Sequence, residues 1–150
     1  MPGSRPITGI DLCTGAPYVA LAWGDGIHDD QPVLQAAWNA CGIIAVPSGN
    51  YRIDSPLIGP HVDNAGIIGA GAGMKAASTP AGAGTIITAS FASGDAIQSH
   101  ASIQHPMFQG LVITRLPAAV SGFGLNNLSK YHLRLCAALQ TFGLLVTSSA

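Results

Sequence analysis

Glutamate is missing from the sequence altogether, and only seven aspartates carry negative charge. Lysine and arginine together number six, so charged residues make up 9% of the chain and the formal net charge is −1. Helix bundles and coiled coils rely on Glu, Lys and Arg for their solvent faces, so that class is excluded. Six scattered cations offer no basic surface for a nucleic acid or an anionic membrane. A membrane-spanning helix needs about 20 mostly apolar residues. The charge-free stretch Ala76–Gly94 is interrupted by Ser, Thr, Gly and Pro80, so it does not meet that requirement. The N-terminal MPGSRPITGIDLCTG has no continuous apolar core and carries Asp11, unlike a secretory signal. The cysteines, Cys13, Cys41 and Cys136, are far apart, and no C-x-x-C occurs. A zinc site or a dense disulfide framework is therefore not expected, and buried thiols are.

What is present is glycine (19), proline (10) and a chain that is 48% hydrophobic over 150 residues. That length suits one domain. The composition points to short strands separated by many turns. One helix stands out over 31–41. Asp29 and Asp30 precede it, Pro32 suits its first turn, and Gly42 stops it. Val33, Leu34, Ala37, Trp38 and Cys41 make a single apolar stripe, expected to cover the first turn of whatever follows.

After the helix come Ile43–Val46, a Pro47-Ser48-Gly49-Asn50 turn, and Tyr51–Ile53. Four glycine-led apolar runs then follow: Gly66–Gly69, Gly84–Thr88, Gly110–Thr114 and Gly143–Thr147. Further strands are expected at 95–98, 124–126 and 132–135. Irregular loops between regular short strands suit a coiled stack of strands that ejects its loops sideways. Ile68, Ile87, Val112 and Leu145 hold equivalent places in the four runs, so they are expected to meet inside that stack.

The segment Trp23–Ala37, containing G-D-G-I-H-D-D and a Gln- and Ala-rich helix, leads to Pro47-Ser48-Gly49-Asn50-Tyr51. Ile67-Ile68-Gly69-Ala70-Gly71 and Gly84-Thr85-Ile86-Ile87 come next. In order and spacing this resembles the start of the pectate-lyase-like superfamily, which includes polygalacturonase-like enzymes and bacteriophage tailspikes. The resemblance covers residues 23–88 through motifs and 89–150 through strand rhythm. It implies an all-β fold, a right-handed parallel β-helix with an N-terminal capping helix. The division expected is an extension at 1–22, the cap and first strands at 23–60, and rungs at 61–150. Family members are usually longer, so the chain is expected to be a partial β-helix. Its final apolar run would leave an open rung through which copies could associate. The resemblance also implies a polysaccharide or oligosaccharide partner and an extracellular or virion-associated setting.

Asp25, Asp29 and Asp30 could be read as catalytic or calcium-binding carboxylates. Calcium wants six to eight oxygens, and three clustered carboxylates fall short, so no metal or other cofactor is assigned. Calcium enters through family analogy alone. The favoured reading is a structural cap made of Asp25, Gly26, Asp29, Asp30, Trp38, Pro47, Gly49 and Tyr51, because the resemblance places this region at the closed end of the β-helix. Gly69–Gly73 mimics a dinucleotide loop, but no helix can follow it and no acid stands where the ribose contact belongs. The five histidines show no metal-ligand spacing, and no G-x-S-x-G occurs. Lys130, Tyr131, His132 and Arg134, with Arg115 before them, form the best substrate-binding cluster. Tyr and Arg on an exposed strand face can stack on and hydrogen-bond an acidic sugar. No acid follows Asp95, so the paired carboxylates of a glycosidase are not expected and no catalytic residue is assigned. The chain is read as the N-terminal part of a carbohydrate-active β-helix protein. The alternative is a structural or adhesion module that binds glycan without cleaving it.

Overall fold

A computed structural model describes residues 5–60, 62, 64–71, 84–91, 94–98, 107–115, 120–126, 132–134, 137–138 and 144–147. Strands dominate, as an all-β class requires, with one helix among the described residues. The elements run β1 (Arg5–Ile10), β2 (Pro17–Ala22), β3 (Asp25–Asp29), α1 (Gln31–Cys41), β4 (Ile43–Val46), β5 (Gly49–Ile53), β6 (Leu57–Ile58) and β7 (Gly66–Gly69). Then come β8 (Thr85–Ala89), β9 (Gly94–Gln98), β10 (Met107–Gln109), β11 (Leu111–Arg115), β12 (Val120–Asn126), β13 (His132–Arg134), β14 (Ala137–Ala138) and β15 (Leu144–Thr147).

From β4 onward, successive strands visit three sheets in rotation. The first sheet has the order β13-β10-β7-β4-β1-β2, the second β14-β11-β8-β5-β3, and the third β15-β12-β9-β6. Each strand from β4 to β12 pairs in parallel with the strand three places later. Alternation then stacks like on like. Ile44, Ile67 and Phe108 align in the first sheet, Tyr51, Ile87 and Ile113 in the second, and Leu57 and Ile97 in the third. All eight side chains are buried. Because side chains alternate with period two, one register fixes the interior for the whole column.

The four glycine-led runs do not form one column. They fall in all three sheets as β7, β8, β11 and β15, and only β8 and β11 are neighbours. Val112 pairs with Ile86, whereas Ile87 pairs with Ile113. Ile67, not Ile68, is the buried member of β7. One turn takes three strands, so runs that look equivalent in sequence need not fall in one column. Residues 5–22, set apart as an extension by sequence, form two strands of the first sheet. β1 pairs antiparallel with both β2 and β4.

The helix spans Gln31–Cys41, where its stripe placed it, and buries Leu34, Ala37, Trp38 and Cys41. Val33 packs against the same cluster while partly exposed. Trp38 donates its indole N–H to the Gly42 carbonyl at 3.0 Å and meets Phe108 edge-on, with ring centroids 6.0 Å apart. This satisfies the one polar atom of a large buried ring. Gln35 does something different. Its Nε2 donates to the Ile58 carbonyl at 2.7 Å, and its Oε1 accepts from the Ile58 amide at 2.8 Å. Gln31 donates to the Pro56 carbonyl at 3.1 Å. A side-chain amide thus stands in for the missing neighbour of β6, the edge strand of the third sheet.

Replacing Trp38 with Ala is expected to cost about 3–5 kcal/mol, the range for deleting a large buried aromatic. Gln35→Ala, at a partly exposed site, should cost about 1 kcal/mol through the loss of its two bonds to the Ile58 backbone and its one to Asn39. Urea denaturation of both variants checks the pair. A Trp38→Ala loss under 1 kcal/mol would mean that the helix does not close the interior.

Candidate functional site

The G-D-G-I-H-D-D segment builds a compact turn in which every aspartate has a separate task. Asp25 Oδ1 accepts from the amides of Ile27 (2.9 Å) and His28 (3.0 Å), and Oδ2 meets His28 Nδ1 at 2.6 Å. The imidazole lies flat on Trp23, with ring centroids 3.8 Å apart. Asp29 Oδ1 accepts from the Gln31 amide (3.0 Å) and from the Asp54 amide (3.1 Å), tying the helix start to the chain beyond β5. Asp30 occupies the N-cap position without capping the helix by its side chain. Its carboxylate faces backwards and accepts from the amides of Trp23 (2.7 Å) and Gly24 (2.8 Å). So Asp29, of the two acids offered for the cap, makes the local bond to the helix, while Asp30 anchors the turn ahead of it. Gly26 has φ +75°, a conformation that side chains disfavour, and a Cβ there would meet the Asn50 amide.

The electrostatics follow from these partners. Two backbone amide bonds, helped by His28, hold the Asp25 carboxyl down to about 2. Burial pushes Asp30 up, against the pull of the Gly24 and Trp23 amides, and the charges of Asp25 and Asp29 add to the rise. A buried carboxyl that accepts from two backbone amides serves as a structural strut.

Pro47-Ser48-Gly49-Asn50-Tyr51 closes the next turn. Tyr51 is buried and donates its hydroxyl to the Pro47 carbonyl at 2.7 Å. Burial raises the phenol, keeping it a neutral donor. A Cβ at Gly49 would meet the Tyr51 ring and the Gly24 carbonyl at 3.2 Å, a tight contact that glycine avoids. Thr85, which the motif Gly84-Thr85-Ile86-Ile87 includes without marking its role, is the hub. Its hydroxyl lies 2.9 Å from the Val46 carbonyl and 3.1 Å from that of Pro47, and it accepts from the Ala70 amide at 2.8 Å. One short side chain therefore links two successive turns, the one between β4 and β5 and the one that follows β7. Thr88 adds a bond to Asn50 Oδ1 at 2.6 Å.

Among the described residues, no three His, Cys, Asp or Glu side chains are grouped to hold a metal. The three clustered aspartates point at different backbone donors. No helix among the described residues is long and apolar enough to cross a membrane. Cys13 is exposed and Cys41 buried, both as free thiols.

The expected sugar-binding cluster is divided between sheets. Arg115 ends β11, opposite Ala89 in the second sheet, whereas His132 and Arg134 belong to β13 of the first, opposite Met107 and Gln109. The two strands are therefore not stacked neighbours, as their shared exposed face would have required. Lys130 and Tyr131 lie outside the described residues. Two grooves lie among the described residues. One, of about 580 Å³, is lined by Gln31, Gln35, Asn39, Ile58, Gly59, Pro60 and Val62. Gln31 and Gln35 there are already bonded to backbone. The other, of about 550 Å³, is mainly apolar and runs beside β1 and β4 past Ile10, Leu12, Ile43 and Ile68.

Asp30→Ala should destabilise the fold by about 2–4 kcal/mol, because two amides in a closed turn lose their acceptor. The pH dependence has two opposed parts. Asp25, with a lowered folded value, contributes stability above its ordinary 3.8 that is lost as pH falls towards about 2. Asp30, with a raised one, contributes stability at low pH that is lost as pH rises through its folded value. Denaturant midpoints between pH 4 and pH 2 should therefore fall less steeply in Asp25→Asn than in the parent. An identical slope would show that the two amide bonds do not hold this carboxyl.

Comparison with known protein families, with characterised proteins and with solved structures finds no match in any of the three.

Proposed function

We propose that this chain is the N-terminal end of a right-handed parallel β-helix of the pectate-lyase-like class, and that it engages polysaccharide by binding. The observation that carries the reading is the three-sheet rotation, parallel from β4 to β15, beginning directly after a helix that lies over one end. The motif order G-D-G-x-x-D-D, helix, P-x-G-x-Y supports it from the sequence side. Stacked parallel strands give outer faces on which side chains recur at one strand spacing, about 4.8 Å. Such a ladder suits a long, repetitive ligand such as a glycan chain.

Binding is favoured over cleavage by how the acids are used. Asp11, Asp25, Asp29 and Asp30 all accept backbone amide bonds, and Asp54 pairs with Arg52 at 2.7 Å. An acid–base pair needs two carboxyls that face a common bond. These five face the protein's own turns. The same observation supports the second reading, a structural or adhesion module in which the β-helix is a stalk.

Affinity electrophoresis through gels containing polygalacturonate or a neutral glucan tests binding, and a reducing-end assay tests cleavage. The expected result is retardation by at least one polymer, with no new reducing ends and no unsaturated product. Cleavage of either polymer would overturn the binding reading. Migration unaffected by every acidic and neutral polysaccharide tried would favour the stalk.

A further inference from the structure

At the end of the stack covered by α1, each sheet has an outermost strand, and the three are treated differently. The third sheet ends on β6, whose edge is met by the Gln35 amide. The second ends on β3, whose register shifts between Asp25 and Asp29 and whose residues include Asp25, His28 and Asp29. A bulge with charges is a common guard against further pairing. The first sheet ends on β2, and there both guards are missing. β2 pairs with β1 in unbroken register from Pro17 to Ala22. Its other side has no strand neighbour among the described residues. No charged residue occurs from Leu12 to Gly24.

The side chains point the same way. Val19 and Leu21 are 62% and 58% exposed on the outer face of β2, and Ile10 on β1 is 56% exposed. Ile43 of β4, also exposed, continues that face, and the apolar groove past Ile10, Leu12 and Ile43 adjoins it. The inner face is already used, since Ala22 is buried and α1 packs on β1 and β2. The result is an ordered, uncharged edge with an apolar outer face.

We propose that β2 is a self-association edge, at which two copies pair their β2 strands antiparallel about a two-fold axis. Self-pairing fits this edge for three reasons. A two-fold axis through Val19 or Ala20 sets odd-numbered residues opposite odd-numbered ones, so Val19 and Leu21 of both copies share one outer face. The uncharged stretch brings no like charges together across the axis. The first sheet continues across the axis into its own copy, removing both unpaired edges at once. Six residues of strand pairing bury less than the roughly 1,200–2,000 Å² of a standard interface, so the dimer is weak and concentration-dependent. This inference stands apart from the glycan reading and from the open final rung.

The test is sedimentation equilibrium of the full chain over a wide concentration range, on the parent and on the Val19→Lys, Leu21→Lys double variant. Both sites are exposed, and circular dichroism confirms that the variant is folded. The parent should dimerise, and the double variant should raise the dissociation constant at least about tenfold, or about 1.4 kcal/mol. In parallel, a short bismaleimide should cross-link Val19→Cys to its own copy far more than Ile58→Cys, both in a Cys13→Ser background. The cross-link decides the matter if the lysine variant does not fold. A parent that stays monomeric, association indifferent to both lysines, or equal cross-linking at positions 19 and 58 would each overturn the proposal.

Discussion

The open end of a strand stack is the constraint on which the rest of this structure depends. Three sheets visited in rotation share one interior, and at the end where α1 lies that interior and the edges of three sheets need cover. The chain meets the requirement with one element for each exposed surface. α1 lays Leu34, Ala37, Trp38 and Cys41 over the interior. Gln35 satisfies the backbone of β6, β3 continues the second sheet, and the β1–β2 hairpin continues the first. The aspartate turn connects these parts. Asp30 holds the turn that leads into β3, while Asp29 holds the helix start and the chain leaving β5. Deeper in, Thr85 joins two successive turns through one hydroxyl. Polar groups therefore set the positions of the turns, and Ile, Leu and aromatic columns fill the space between.

Much of this was legible in the sequence because it is encoded locally. The helix limits follow from an apolar stripe at helical spacing, preceded by Asp and ended by Gly42, whose φ of +71° few other residues adopt. The strands follow from short apolar runs between glycines and prolines. The glycines at 26 and 49 were marked by motif, and their crowding against Asn50 and Tyr51 explains the choice. The rotation was not legible. Assigning Ile87 to Tyr51 and Ile113, rather than to Ile68, requires knowing that one turn takes three strands, and nothing within a single strand carries that information. Gln35 and Thr85 escaped for a related reason. Each acts through partners 23 or more residues away in sequence, apart from the Gln35 contact to Asn39 and the Thr85 contact to Ala70.

The division between scaffold and binding surface has the same origin. Sequence proximity suggested that Arg115 and Arg134 share a face, yet rotation sends β11 and β13 to different sheets. Long-range placement decides which outer side chains form a ladder, so side chains that recur on one face have to be sought along one sheet. The acids Asp25, Asp29 and Asp30 near the capped end accept from backbone amides. Of the outer surfaces described in detail, the β2 edge and its apolar face are the ones without a structural partner among the described residues.

Isotope-edited NOE spectroscopy on the methyl groups tests the central claim, the three-sheet parallel rotation, most directly. The account predicts cross-peaks linking Ile44 to Ile67 in one column, and Ile87 to both the Tyr51 ring and Ile113 in another, since these pairs are direct neighbours. Close Hα–Hα contacts between consecutive strands, such as β7 with β8, are the mark of antiparallel hairpins. Finding those contacts in place of the predicted columns would contradict the account.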